Sequence, residues 1–265
     1  MKKVLVVIVN YGNLQVHFLD KVVESFKSFK NYDLDIVIHS NIPLEYEGVE
    51  IIIKDHMNDW NTFPWETRKT IYDRKDDYDL YLYTENDHLY KESHIDSFLE
   101  VTDILPENRI AGFIQYEEFP EDKMGYLYPA YHASYEWDIN SVEKYDNTVF
   151  AHFNCEHHAG YLLTKKHLDK VISKMGKDFL VDKNRGIKQP GKPGYDSNKV
   201  RCCTDVYTHA GMKKVIPISR FDDFLIHHLP NKYKGIFGNY SFDKNRMRPN
   251  LEVLLKKSDF IDNIK

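Results

Sequence analysis

The side chains best suited to chemistry in this chain are Glu85-Asn86-Asp87, which close the run Tyr78-Asp79-Leu80-Tyr81-Leu82-Tyr83-Thr84. Two acids around an amide present hard oxygen donors, the kind Mg²⁺ and Mn²⁺ take, and such an ion in turn carries phosphate oxygens. A histidine pair, His227-His228, follows another apolar run, and His157-His158 stand beside Cys155 and Glu156. The latter group lacks a second ligand pair at zinc-site spacing, so zinc is discounted. Arg68 has the planar fork that pairs with a phosphate or carboxylate through two hydrogen bonds.

These residues need elements to hold them. The period-two alternation of residues 78–83 predicts a strand, with the acidic triplet at its carboxyl end, where open α/β sheets bind their ligands. Residues 4–9 form an unbroken apolar run, the pattern of a strand covered on both faces. Leu14, Phe18, Val22 and Phe26, flanked by Leu19 and Val23, predict an amphipathic helix. Strands follow at 34–38, ending in His39-Ser40-Asn41, and at 49–53. Asn61-Thr62-Phe63-Pro64 reads as the start of a helix that carries Arg68 and Ile71. Ser93 and Asp96 resemble a capping box for a helix through Phe98 and Val101. One strand is expected over 109–116, an irregular aromatic insertion over 117–147, and extended segments at 148–153 and 161–163. Thr164 caps a helix through Leu168, Val171 and Met175 that Gly176 stops. Residues 181–200 read as a long loop, Thr204 as the cap of a short helix starting at Asp205, 214–218 and 224–228 as strands, and 251–264 as a peripheral helix. The expectation is a single-domain α/β fold with a mixed, mostly parallel central sheet flanked by helices.

A chain of 265 residues with 36 basic and 41 acidic side chains, net −5, does not carry the basic footprint of a nucleic-acid binder. Three cysteines, two of them adjacent, imply no disulfide framework and a reducing compartment. The 19 tyrosines and 15 phenylalanines suit either a groove that stacks flat or sugar-like ligands or a tyrosine-rich core. Met1-Lys2-Lys3 and the apolar run behind it lack a cleavage site and read as a first strand, not a signal peptide. No run approaches a membrane span, so a cytoplasmic location is expected. The tail with Lys256-Lys257 would at most touch the inner face of a membrane. Asn239-Tyr240-Ser241 reads as a chance glycosylation pattern.

Glu85-Asn86-Asp87 after a tyrosine-rich strand resembles the E-x-D form of the DxD metal motif of GT-A-fold glycosyltransferases. The resemblance continues in order: Asn10-Tyr11 at the first strand end, a helix with Arg68 before the triplet, Thr204-Asp205, Lys213-Lys214-Val215-Ile216-Pro217, and Ile226-His227-His228-Leu229-Pro230-Asn231-Lys232-Tyr233. It covers residues 1–235 as a catalytic domain, donor-binding in its N-terminal part and acceptor-facing over about 117–210, leaving 236–265 as a C-terminal extension.

What the resemblance implies is a metal-dependent, inverting transfer of a sugar from a nucleotide-diphosphate sugar to a glycan or lipid-linked acceptor. Mn²⁺ or Mg²⁺ would be held by Asp87 with His228 or His227. Adjacent strand residues face opposite ways, so one histidine would face the ion, and His228 is preferred. Asp205 would be the base, with Thr204 replacing the usual first acid, and Glu156 the alternative base. The nucleotide would meet Asn10, Tyr11, Ser40, Arg68, Glu85, Asn86 and Lys232. Plainer readings stand beside these: a solvated turn at 85–87, an ion pair of Arg68 with Glu66 or Asp76, and an acid at 205 on a helix dipole. The competing functions are a nucleotidyltransferase, whose glycine-rich loop is missing from Asn10-Tyr11-Gly12-Asn13, a non-catalytic sugar- or nucleotide-binding protein, and a metal hydrolase.

Overall fold

The computed structural model describes residues 1–54, 59–117, 137–153, 156–181, 198–231 and 256. In chain order its elements are β1 (Lys2–Asn10), α1 (Val16–Lys27), β2 (Tyr32–Ser40), β3 (Glu50–Ile53), α2 (Pro64–Asp73), β4 (Leu80–Glu85), β5 (His88–Leu89), α3 (Glu92–Thr102), β6 (Arg109–Ala111), β7 (Ile114–Tyr116), β8 (Trp137–Tyr145), β9 (Thr148–Phe153), β10 (Gly160–Thr164), α4 (Lys165–Met175), α5 (Asn198–Thr208), β11 (Lys213–Pro217) and β12 (Leu225–His228). They form two compact units, Met1–Glu92 with Ala159–Ala210 and Ser93–His158 with Gly211–Lys265. No helix among the described residues is long and apolar enough to cross a membrane.

The first unit holds the expected mixed, mostly parallel sheet, in the order β10-β4-β1-β2-β3 with only β10 antiparallel. Val4 to Ile8 are fully buried, as a strand covered on both faces must be. The registers Asn10↔Ser40 and Val9↔Glu85 bring three polar strand ends to one edge. Helix α1 buries Leu19, Val22, Val23 and Phe26, one stripe at helical spacing. Tyr81, Tyr83, Tyr90, Tyr161 and Tyr207 are all fully buried, so the tyrosine-rich core is the outcome for much of the aromatic content. At Gly160 an added Cβ would stand 2.5 Å from the Tyr83 carbonyl, and this close approach of β10 to β4 requires glycine.

Thr164 caps α4 as expected, and His167 completes the capping box. Gly176 adopts φ 57° at its end. Two other expected helix starts shift. Helix α3 begins at Glu92, placing Ser93 inside the first turn, and the Glu92 carboxylate accepts the Lys30 and Asn31 amides. Helix α5 begins by Asn198, so Thr204 sits mid-helix and its hydroxyl donates back to the Val200 carbonyl at 3.1 Å. The polar start Asn198-Lys199 gives no apolar period and merges by sequence with the preceding loop-like residues.

The second unit has a four-stranded sheet, β6-β11-β9-β8, and a parallel pairing of β7 with β12. Its core gathers Ile114, Trp137, Val149, Phe153, Ile216 and Ile218. The strand expected over 109–116 is two, β6 and β7, because the chain breaks at Gly112-Phe113 to pass the buried Lys214 side chain. A Cβ on Gly112 would lie 1.9 Å from Lys214 Cε. Residues 137–145, read as part of an irregular stretch, are strand β8. A register shift between Asp138 and Glu143 erases the alternation that would have revealed it. The aromatic residues 118–136, most of the 181–200 loop, Cys155, Lys232, Tyr233 and the 236–265 extension except Lys256 lie outside the described residues.

Candidate active site at the carboxyl edge of the parallel sheet

Asn10, the last residue of β1, is fully buried and organises this edge. Its amide nitrogen donates to the Gly12 carbonyl at 3.1 Å and to Ser40 Oγ at 3.2 Å. Its oxygen accepts from Asn86 Nδ2 at 2.6 Å. Gly12 turns at φ 68°, and its N–H donates to Asn41 Oδ1 at 2.7 Å. Four short polar side chains therefore lock the loop after β1 to the ends of β2 and β4. Tyr11 is 38% exposed beside this network, with its ring edge-on to buried Phe63 at 6.2 Å.

Asp87 is buried one residue further on. Its Oδ2 accepts from Gln15 Nε2 at 2.9 Å, and its Oδ1 lies 2.8 Å from Nδ1 of His88, also buried. Adjacent ligands of an octahedral Mg²⁺ or Mn²⁺ site stand about 3 Å apart, so this carboxylate and imidazole fit two neighbouring positions on such an ion. Glu85 separates from its two neighbours. Its Oε1 is buried with no hydrogen-bond partner among the described residues, and its charge acts on the Cys203 thiol of α5.

Arg68 lies in the interior. It is fully buried, with its guanidinium 4.1 Å over the Trp65 ring and 4.9 Å from Phe179, and it donates to the carbonyls of Phe179 at 3.0 Å and Cys202 at 2.8 Å. Neither a nucleotide phosphate nor the ion pair with Glu66 or Asp76 describes it, because its fork is spent on tying α2 to α5. Cys202 and Cys203 are buried free thiols, Cys202 pushed up to about 12 by burial, and are inert in that state.

Asp205 is 5% exposed in the last turn of α5. It lines a cavity of about 140 Å³ with Lys174, Met175, Asp178, Val181 and His209, and its Oδ2 is 3.9 Å from His209 Nδ1. Its helix position is not the first turn, so the reading of an acid on a helix N-terminal dipole is withdrawn.

In the second unit His228 is buried, with Nδ1 2.5 Å from Glu117 Oε1. His227 is half-buried, stacks on Tyr116 at 4.9 Å and meets Asn231 Oδ1 at 3.2 Å. The two do face different surroundings, as strand alternation requires. Glu156 is buried, and its carbonyl accepts from Lys214 Nζ at 2.8 Å. The same ammonium donates to the Phe113 carbonyl at 2.8 Å and reaches His158 Nδ1 at 3.1 Å.

Asn10, Ser40, Asn86 and Asp87 thus lie together at this edge. Gln15 and His88 were not singled out. His88 directly follows the triplet and was within reach of a longer reading of the motif, whereas nothing in the sequence marks Gln15.

No protein-family profile matches the chain. No curated relative matches it either. Among solved structures, CMP:2-keto-3-deoxy-manno-octonic acid synthetase complexed with CTP is similar over 44% of this chain, at 12% identity and a TM-score of 0.31. The matched part spans 53% of that synthetase, about half its length.

Proposed function

We propose that the protein is a metal-dependent transferase acting on a nucleotide-linked sugar, and that it moves the sugar to a glycan or lipid-linked acceptor. The observation that carries this reading is the convergence of Asn10, Asn86, Asp87 and His88 at the carboxyl edge of the parallel strands β1 and β4, with a buried carboxylate and imidazole 2.8 Å apart. A departing nucleoside diphosphate gathers negative charge, and a divalent ion neutralises it as a Lewis acid. Asp87 and His88 are buried donors of the types such an ion takes and are the proposed ligands, with His228 kept as the ligand that the sequence resemblance implies. Asn10, Tyr11, Ser40 and Asn86 are the proposed nucleotide contacts, with Asp205 the proposed base and Glu156 its alternative.

Nucleotidyl transfer to a sugar is the second reading. The same polar strand ends and buried carboxylate suit the metal-bound phosphates of a nucleoside triphosphate as well as those of a nucleotide sugar.

Calorimetric titration of nucleoside di- and triphosphates with and without Mn²⁺, on the protein and on Asp87→Ala, tests both. Metal-dependent binding that the variant loses is expected. Release of a nucleoside diphosphate from a nucleotide sugar then marks glycosyl transfer. Pyrophosphate formed from a nucleoside triphosphate and a free sugar marks nucleotidyl transfer. No nucleotide binding by folded protein overturns the proposal.

A further inference from the structure

Gln15 occupies the N-cap position of α1, yet its side chain caps nothing there. A serine or aspartate at this place would satisfy one of the orphan amides of the first turn, and their replacement by non-capping residues typically costs about 1 kcal/mol. The amide instead crosses to Asp87, 72 residues away, and donates to Oδ2 at 2.9 Å. Local helix stability is forgone for a single long-range contact with one oxygen of one carboxylate.

The contact has a defined chemical effect. With Oδ2 held by Gln15, the carboxylate plane is fixed, and Oδ1 is the oxygen left on the His88 side, 2.8 Å from Nδ1. A neutral amide achieves this without cancelling the carboxylate charge, as a lysine or arginine would. The Asn10–Asn86 bond at 2.6 Å fixes the neighbouring turn but does not touch the carboxylate.

From this we infer that Gln15 is a positioning residue for a cation at Asp87, orienting Oδ1 towards the ion from outside its coordination sphere. The inference rests on the proposed metal-dependent function. Partners that orient a ligating group in this way typically contribute tenfold or more to metal affinity.

The test is Mn²⁺ binding, read from the electron paramagnetic resonance signal of the free ion, together with metal-free thermal melting. It uses the full chain and the variants Gln15→Met, Gln15→Ser and Asp87→Ala. Gln15→Met keeps the length and removes the donor, and about tenfold weaker Mn²⁺ binding is expected, with a lower metal-free melting temperature because a buried carboxylate oxygen loses its donor. Gln15→Ser loses the same donor but supplies a helix cap, so it should melt above Gln15→Met while its Mn²⁺ affinity falls as far. Were Gln15 purely structural, Gln15→Ser would regain Mn²⁺ affinity along with stability. If both Gln15 variants bind Mn²⁺ as tightly as the parent while Asp87→Ala does not, the role of Gln15 is overturned and the metal site stands. If the parent binds no Mn²⁺, or Asp87→Ala binds it equally well, the metal reading falls and this role with it.

Discussion

Arg68, inside α2, and Asp87, in the turn between β4 and β5, are both buried residues that sequence motifs point to, and the structure treats them oppositely. Arg68 is fully buried, with three carbonyls and two aromatic faces around it. Arg68→Met should leave those carbonyls without their donor and cost about 2–5 kcal/mol, read as a lower denaturation midpoint. Nucleotide affinity per folded molecule should not change. Loss of affinity at unchanged stability would return Arg68 to the nucleotide site. The legible part of the site is the part carried by strand ends, since Asn10, Ser40 and Asn86 each follow an apolar run and have few other duties. Arg68 was misread because a helix-borne arginine before a motif looks alike whether it faces phosphate or the interior. Gln15 was invisible for a different reason: a glutamine beside a helix start is commonplace, and its meaning lies wholly in a partner 72 residues away.

At the scale of elements, two histidines stitch secondary structure together in the neutral form. His39 of β2 meets Thr70 of α2 through Nε2 at 2.8 Å, and burial, helped by Lys54 and Arg74, holds it down at about 4. His167 accepts the Thr164 amide at the start of α4, and burial, with Lys166 and Lys170, lowers it to about 4 as well. In the unfolded chain both take up protons near 6.5, while the folded chain resists until about 4. Their contribution is therefore complete above pH 6.5 and is lost as the pH falls towards 4, at most about 3 kcal/mol for each histidine. Urea midpoints measured from pH 7 to 4.5 should fall less steeply for His167→Gln than for the parent protein. Equal slopes would mean that the folded imidazole takes up its proton over the same pH range as the unfolded one. The elements themselves were largely readable from hydrophobic period, and the exceptions share a cause. Strand β8 has its period interrupted by a register shift, β6 and β7 are split at Gly112 by a lysine from β11, and α5 starts on polar residues.

For the molecule as a whole, the two units interleave along the chain, and the sequence gives no sign of it. The chain passes between them at Glu92, His158 and Ala210, and proline- or glycine-rich linkers do not mark the first two. Continuity in sequence is thus no guide to continuity in space. A fragment of residues 1–158 lacks β10, α4 and α5 from one unit and β11 from the other. It should show no cooperative thermal transition, and a calorimetric peak from it would disprove the mutual dependence of the segments. The sheet order β6-β11-β9-β8 places β11 between strands made more than sixty residues earlier. On a ribosome adding about 5–20 residues per second, the nascent chain would hold the unpaired edges of β6 and β9 for several seconds before their shared partner emerged. Throughout that interval, chaperones that shield strand edges would have a client, and synonymous codon choice over residues 154–213 would set how long they must hold it.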